Sequence, residues 1–340
     1  MPSIIGIAGT AKNTGKTTTL NALLEQCPIA PESAGITSIG YDGEDIDTIT
    51  GLPKPRVIVR KGMIVSTSLR CLPASGWSIV EQTGFTSALG RIVIARCETT
   101  SAIVLAGPKT KNDLREITRM MTVHGCTDII VDGALNRIAP MAIVDTIIFT
   151  TGAARTPEIA LLTQEMAAIE RIFLIPPYIG TRRGSTNSIM MIHSADDVDL
   201  MVRSAGTSDI VIPGLISYDA LNLLAKKLSG STITSIIVSD PVSLLLSSSA
   251  EQTVSVIDRI IAHGIKIYCS HSIRLAAATI NPFYPEYHGV SYSTSYVDAR
   301  ALEASIFTVR MQHKCGIASE NRNKINRIYL SEKPNKFTII

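Results

Sequence analysis

The segment Thr10-Ala11-Lys12-Asn13-Thr14-Gly15-Lys16-Thr17 joins an apolar run, Ile4-Ile5-Gly6-Ile7-Ala8-Gly9, to Thr18-Thr19-Leu20-Asn21-Ala22-Leu23-Leu24-Glu25. Strand, polar turn of small residues and helix in that order commit the start of the chain to an α/β arrangement with parallel crossovers. The same order is the context in which a phosphate-binding loop works. Backbone N–H groups of Thr10, Ala11, Lys12, Asn13, Thr14, Gly15, Lys16, Thr17 and Thr18 would wrap the phosphates, and the new helix points its positive end at them. Lys16 would reach the β- and γ-phosphates and act in catalysis, and the Thr17 hydroxyl would sit on Mg²⁺. The pattern G-x-x-x-x-G-K-[ST] is met with one departure: its first position is Thr10, and the glycine stands one residue earlier at Gly9. A plain helix N-terminus with an exposed lysine is the alternative, and the flanking strand and the Gly-Lys-Thr-Thr ending weigh against it.

A chain of 340 residues suggests about two domains. Hydrophobic residues make up 45% and charged residues 18%, with aromatics at only 5%, so a large aliphatic interior is required. Aliphatic runs alternating with Ala- and Leu-rich helical stretches suit buried parallel sheets. The positive mean hydropathy raises the question of a membrane span. The longest apolar runs, at 142–149 and 234–238, are far short of the roughly 20 residues a span needs. The apolar start runs straight into the loop, so no cleavable leader and a cytoplasmic location are expected. Thirty-two basic against 29 acidic residues give a net charge of +3, too balanced to imply a nucleic-acid partner. The cysteines, Cys27, Cys71, Cys97, Cys126, Cys269 and Cys315, show no C-x-x-C spacing and read as free thiols.

Strand and helix patterns organise the chain into an expected α/β domain over residues 1–175, built on a mostly parallel sheet. An antiparallel insertion or edge meander is expected at about 56–97, with strands at 57–59, 63–66, 78–82 and 91–96 between glycine turns. Further strands are read at 35–41, 101–106, 128–133 and 143–150, helices at 112–123 and 156–169, and a last strand at 171–175. Pro176-Pro177 marks the expected boundary. Residues 176–340 read as a second α/β domain: strands at 209–213, 235–238 and 266–269, helices at 219–228 and 253–263. Asn281-Pro282-Phe283-Tyr284-Pro285-Glu286-Tyr287 reads as a loop, and the basic tail as peripheral.

Two carboxylates stand out beside the loop. Ile129-Ile130-Val131-Asp132 is an apolar strand ending in an acid, at the sheet edge where ligands of α/β folds bind. With a phosphate loop present, Asp132 becomes a Mg²⁺ partner, directly or through water. Asp42 ends the strand after the loop helix, where it could orient an attacking water or complete the metal shell. Glu44 and Asp45 compete for that role, and a solvated acidic turn is the alternative. Lys12 stands four residues before Lys16. Signature lysines that cross a dimer interface stand five before, where this chain has Ala11, so a surface lysine is the default. Lys109, Asn136 and Arg137 follow strands and read as loop residues able to meet phosphate or substrate. The Asn-Lys pairs, Asn323-Lys324 and Asn335-Lys336, lack the aspartate of a guanine-reading loop, which favours adenine. The histidines form no close cluster.

Gly9 to Thr19, the Asp42 turn and Val131-Asp132-Gly133-Ala134 resemble the signal-recognition, MinD and BioD group of P-loop NTPases, over roughly the first 175 residues. More narrowly, the loop together with Gly40-Tyr41-Asp42-Gly43-Glu44 and Gly51-Leu52-Pro53-Lys54-Pro55-Arg56 is similar to the P-loop subunit of the lysine 5,6-aminomutase reactivases. The resemblance implies ATP and Mg²⁺ as ligands. Its implied partners are an adenosylcobalamin-dependent aminomutase and a second reactivase subunit, with room for a homodimer. Such a reactivase spends hydrolysis on releasing damaged cobalamin, and residues 42–56 could serve as a γ-phosphate switch. No Asp-x-His-x-x-Gly motif is present, so direct cobalamin binding is not expected. Two other readings stay open. One is an ATP-dependent ligase of the dethiobiotin-synthetase or amidase kind, for which Cys269 near His271 is the only close nucleophile pair. The other is a nucleotide-sensing scaffold without useful hydrolysis.

Overall fold

The computed structural model describes residues 2–26, 29–41, 56–133, 138–180, 191–205, 209–288, 291–296 and 338–339. The chain divides into two compact units, and the first is discontinuous: Met1–Thr163 with Leu275–Ile340, enclosing Gln164–Arg274.

The first unit begins with β1 (Ser3–Gly9), α1 (Lys16–Gln26) and β2 (Ala34–Ser38). It continues through β3 (Val57–Val59), β4 (Ile64–Ser68), β5 (Trp77–Ser87), β6 (Gly90–Cys97) and β7 (Ser101–Ile103). Then come α2 (Lys111–Val123), β8 (Asp128–Asp132), β9 (Thr146–Gly152) and the start of α3 (Ile159–Phe173). The second unit holds β10 (Met191–Ile192), α4 (Ala195–Ala205), β11 (Ile210–Ile212), β12 (Leu215–Ile216), α5 (Tyr218–Lys227), β13 (Ser235–Val238), α6 (Pro241–Leu245), α7 (Ala250–Ala262) and β14 (Lys266–Cys269). The chain then returns through β15 (Arg274–Asn281), β16 (Phe283–His288), β17 (Ser291–Tyr296) and β18 (Thr338–Ile339).

The first unit is built on a nine-stranded sheet of order β18-β15-β9-β1-β8-β2-β4-β6-β5. Its centre, β9-β1-β8-β2-β4, is parallel throughout, as aliphatic strands separated by helices require. Register sorts the side chains by face. Ile5 pairs with Ile130, Ile7 with Asp132, Ile36 with Ile130, and Ser38 with Asp132, so these residues share one side. Ile7, Ile36 and Ile130 pack there with Leu20, Leu23 and Leu24 of α1. Gly35 lies on the opposite side, where an added Cβ would stand 2.8 Å from the Met121 methyl and 3.0 Å from Cys126 Sγ; α2 therefore covers that face. The buried positions of α2, Leu114, Ile117, Thr118 and Met121, form the matching stripe.

Four expectations need correction. The 56–97 segment is not an appended meander alone: β4 joins β2 in parallel, and β6 and β5 then continue the same sheet antiparallel. No strand occupies 171–175, because α3 runs on to Phe173 with Leu162, Met166, Ile169 and Ile172 buried at helical spacing. The strand that flanks β9 is instead β15, from the far end of the chain, so the units do not divide at Pro176-Pro177. Asn281 accordingly closes a strand, and Phe283–His288 forms an antiparallel ladder with Ser291–Tyr296 rather than a loop.

In the second unit, β11, β13 and β14 form a parallel three-stranded sheet. Side-chain caps start its helices: Ser217 accepts from the Ala220 N–H at 3.3 Å, and Ser249 from Gln252 at 3.2 Å. At α4 the Ser194 hydroxyl accepts from the Asp197 N–H at 3.1 Å. The Asp197 carboxylate accepts from the Ser194 and His193 N–H groups, and the bonds from Ser194 hold its pKa below the ordinary aspartate value. The Arg171 guanidinium grips both carboxylate oxygens of Asp258 on α7, with one bond at 2.9 Å. Among the described residues, no helix is long and apolar enough to cross a membrane.

Candidate functional site

Residues 10–15 bridge β1 and α1 at the carboxyl edge of the sheet. Two backbone bonds fix the ends of this turn: Thr10 N–H donates to the Thr150 carbonyl at 2.9 Å, and Thr19 N–H to the Gly15 carbonyl at 2.9 Å. Two residues take the left-handed conformation, Asn13 at φ 63° and Gly15 at φ 93°. Glycine accepts this geometry freely, and asparagine is among the few other residues that tolerate it.

A layer of buried hydroxyls supports the turn. Thr10 donates to the Thr151 hydroxyl at 2.9 Å. Thr14 donates to the Ala11 carbonyl at 3.0 Å, which leaves its oxygen to accept from the Thr150 hydroxyl at 2.8 Å. Thr10, Thr14, Thr150 and Thr151 are all buried. Gly9 sits directly over this layer: a Cβ there would lie 2.5 Å from Thr14 Oγ1 and 2.8 Å from Thr150 Oγ1. The displaced glycine of the sequence pattern therefore has a steric reason, and Thr10 fills the usual glycine position with a hydroxyl that bonds downward.

Lys16 opens α1, and its ammonium folds back over the turn to the Ala11 carbonyl at 3.4 Å. Thr17 and Thr18, half-buried, follow in the first turn of the helix, whose N–H groups carry the positive end of the dipole. Lys12 is exposed at the rim. Asp132 closes β8 on the face that α1 covers. Its backbone is locked from both sides: Ile39 N–H donates to the Asp132 carbonyl at 2.8 Å, and Gly133 N–H to the Ile7 carbonyl at 3.0 Å. The first helical turn and a strand-end carboxylate thus share one face and one edge of the sheet.

The root of the acidic turn is equally well held. Gly107 N–H reaches both the Gly40 carbonyl (2.9 Å) and the Ser38 hydroxyl (3.0 Å), and Gly40 N–H donates to the Pro108 carbonyl at 2.7 Å. A Cβ on Gly107 would fall 1.8 Å from the Ser38 carbonyl oxygen, so only glycine fits. Asp42, Glu44 and Asp45 beyond this root lie outside the described residues, as do Asn136 and Arg137. Lys109 is exposed just before α2.

Elsewhere the chemistry is quieter. Cys269 is fully buried at the end of β14, and desolvation, with the charge of Asp240 adding to it, pushes its thiol up to about 12. Its burial and raised pKa weigh against Cys269 as the nucleophile of an amidase reading. Cys71, Cys97, Cys126 and Cys269 are all free.

Four residues that bond to the turn or its helix were not singled out from the sequence: Thr150, Thr151, Thr279 and Asn281. The Asn281 amide donates to the Asn13 carbonyl at 2.7 Å, and Thr279 shares a 2.9 Å hydrogen bond with Thr19. The only local signal is a polar end on an apolar strand, Thr150-Thr151-Gly152 and Thr279-Ile280-Asn281. Comparison with protein-family models, with curated proteins and with solved structures finds no match for this chain.

Proposed function

We propose that the 10–15 turn binds the phosphates of ATP with Mg²⁺, that the chain hydrolyses the nucleotide, and that turnover acts on a protein partner. The observation that carries this reading is the turn itself. A turn with two left-handed residues, Asn13 and Gly15, leads into the positive end of α1, with Lys16 at the first helical position and Asp132 on the same face at a neighbouring strand end. Each part has a role. The N–H groups and Lys16 hold the β- and γ-phosphates, while the Thr17 hydroxyl and the Asp132 carboxylate would hold the metal. Bound Mg²⁺ supplies charge neutralisation on the phosphates. Asp42 would orient the attacking water.

For the partner, the likeness of the loop and the 40–56 stretch to the P-loop subunit of lysine 5,6-aminomutase reactivases supports an adenosylcobalamin-dependent aminomutase, reactivated by release of damaged cobalamin. Calorimetric titration with Mg²⁺ and ATPγS tests the first step. Binding is expected, and Lys16→Ala should weaken it by about 10–150-fold, the equivalent of about 1.5–3 kcal/mol for a hydrogen bond to a charged group. Absence of binding by the unaltered chain refutes the nucleotide reading. Phosphate release that stays at its basal rate when aminomutase holoenzyme is added refutes the partner.

A further inference from the structure

We propose that Asn281, assisted by Thr279, is a positioning residue for the phosphate turn: β15 sets the direction in which the turn's N–H groups point. The inference rests on the nucleotide reading above and adds a residue 268 positions away in sequence from the one it orients.

The argument is geometric. In a trans peptide the carbonyl of one residue and the N–H of the next point in opposite directions within one rigid plane. The Asn281 amide holds the Asn13 carbonyl at 2.7 Å, so it also fixes the Thr14 N–H, facing away from β15. Asn13 sits at φ 63°, a conformation that a non-glycine residue leaves readily unless something holds it. Rotation of the Asn13–Thr14 peptide would exchange the two groups and aim a carbonyl oxygen at an anion. The Asn281 bond opposes that rotation.

Asn281 is itself well anchored. It is buried, and its own carbonyl accepts from the Ala153 N–H at 2.9 Å, tying it to the end of β9. Two residues earlier, on the same side of β15, fully buried Thr279 bonds Thr19 in the first turns of α1. One strand therefore holds both the apex of the turn and the helix that follows it, fixing the one against the other.

The test compares Asn281→Ala, Asn281→Asp and Thr279→Val with the unaltered chain. Mg²⁺ with ATPγS and inorganic tripolyphosphate are the titrants. Ile117→Val, on the buried stripe of α2 over the opposite face of the sheet, serves as a stability control. Asn281→Ala should bind both titrants about five- to tenfold more weakly, the effect of one lost neutral hydrogen bond or slightly more. Asn281→Asp keeps the shape but sets an acceptor against the Asn13 carbonyl, so it should bind at least as weakly as the alanine variant. Thr279→Val should lose about two- to fivefold, and Ile117→Val nothing beyond its drop in Tm. Amide exchange over residues 10–19 in the nucleotide-free protein should quicken in both Asn281 variants. Affinities within twofold of the unaltered chain overturn the proposal, as does a loss confined to ATPγS, which would make Asn281 a reader of the base. An equal loss in Ile117→Val also overturns it. If the unaltered chain binds neither titrant, the nucleotide reading falls. The exchange measurement then decides alone whether Asn281 holds the turn: quickened exchange supports the hook, and unchanged exchange removes it.

Discussion

Gly9→Ala is a severe small change within the turn itself. The new methyl would meet Thr14 Oγ1 at 2.5 Å and Thr150 Oγ1 at 2.8 Å, both buried, and the Ala11 carbonyl at 3.2 Å. Both hydroxyls sit one bond from their own Cβ, so neither can swing far. Admitting the methyl means breaking the 2.8 Å Thr14–Thr150 bond and the 3.0 Å Thr14–Ala11 bond. Two lost hydrogen bonds at about 0.5–1.5 kcal/mol each, with overpacking of about 1–3 kcal/mol, give a destabilisation of about 2–6 kcal/mol. Trp77, the only tryptophan, lies in the first unit and packs against its core, so its fluorescence follows that unit through urea. With a slope of about 2 kcal/mol per molar, the midpoint should fall by about 1–3 M. Adding Thr14→Ala removes the nearer clash, and the double variant should be more stable than the sum of the single changes requires. A midpoint shift under about 0.3 M, or strict additivity, would show that the hydroxyl layer yields, and the steric account of Gly9 would fail.

Other substitutions probe separate links. Asp132→Asn should leave metal-free nucleotide binding unchanged and reduce the enhancement by Mg²⁺ about tenfold, read by titration with and without the metal. Gly107→Ala places a Cβ 1.8 Å from the Ser38 carbonyl oxygen, so backbone must move; Tm should drop well beyond that of a surface Gly→Ala change, and an unchanged Tm would contradict the packing. Burial pushes the Cys269 thiol up to about 12 and Cys126 up to about 11, from an ordinary 9.0. The folded chain therefore keeps protons that the unfolded chain releases. Stability should be full below pH 9.0 and decline from there towards pH 12, by up to about 1.4 kcal/mol per unit for each thiol. Urea midpoints at pH 8 and 10.5, compared with those of Cys269→Ala, check the sign; a shallower decline in the variant is expected.

The sequence carried the local parts of this architecture well. Strand β1, helix α2 and strands β8 and β13 announce themselves through aliphatic runs and helical spacing, since burial on one or both faces leaves its period in the chain. The segment 10–18 was legible for the same reason, being a single continuous strand–turn–helix. What failed was long-range pairing. The 171–175 stretch is short and apolar enough to pass for a strand, and only its burial pattern continues the period of α3. The partners of the turn stand 136, 141, 260 and 268 residues away, for Thr150, Thr151, Thr279 and Asn281, and no local pattern specifies which strand end will face a given loop. Helix α4 follows a capping signal, Ser194-x-x-Asp197, that is local and legible in the sequence.

The insertion of one unit inside another also has a consequence in time. A ribosome delivers Asn13 first and Asn281 268 residues later, an interval of roughly 13–54 s at about 5–20 residues per second. During that interval β1, α1 and β8 can already pair and bury their shared aliphatic face, while the turn has no hook and β9 has no outer neighbour. The nascent chain thus carries an assembled sheet centre with an unlatched turn until the end of β15 emerges. Truncation after β9 but before residue 281 would freeze that state, yielding a fragment with the sheet centre and none of the hold on Asn13.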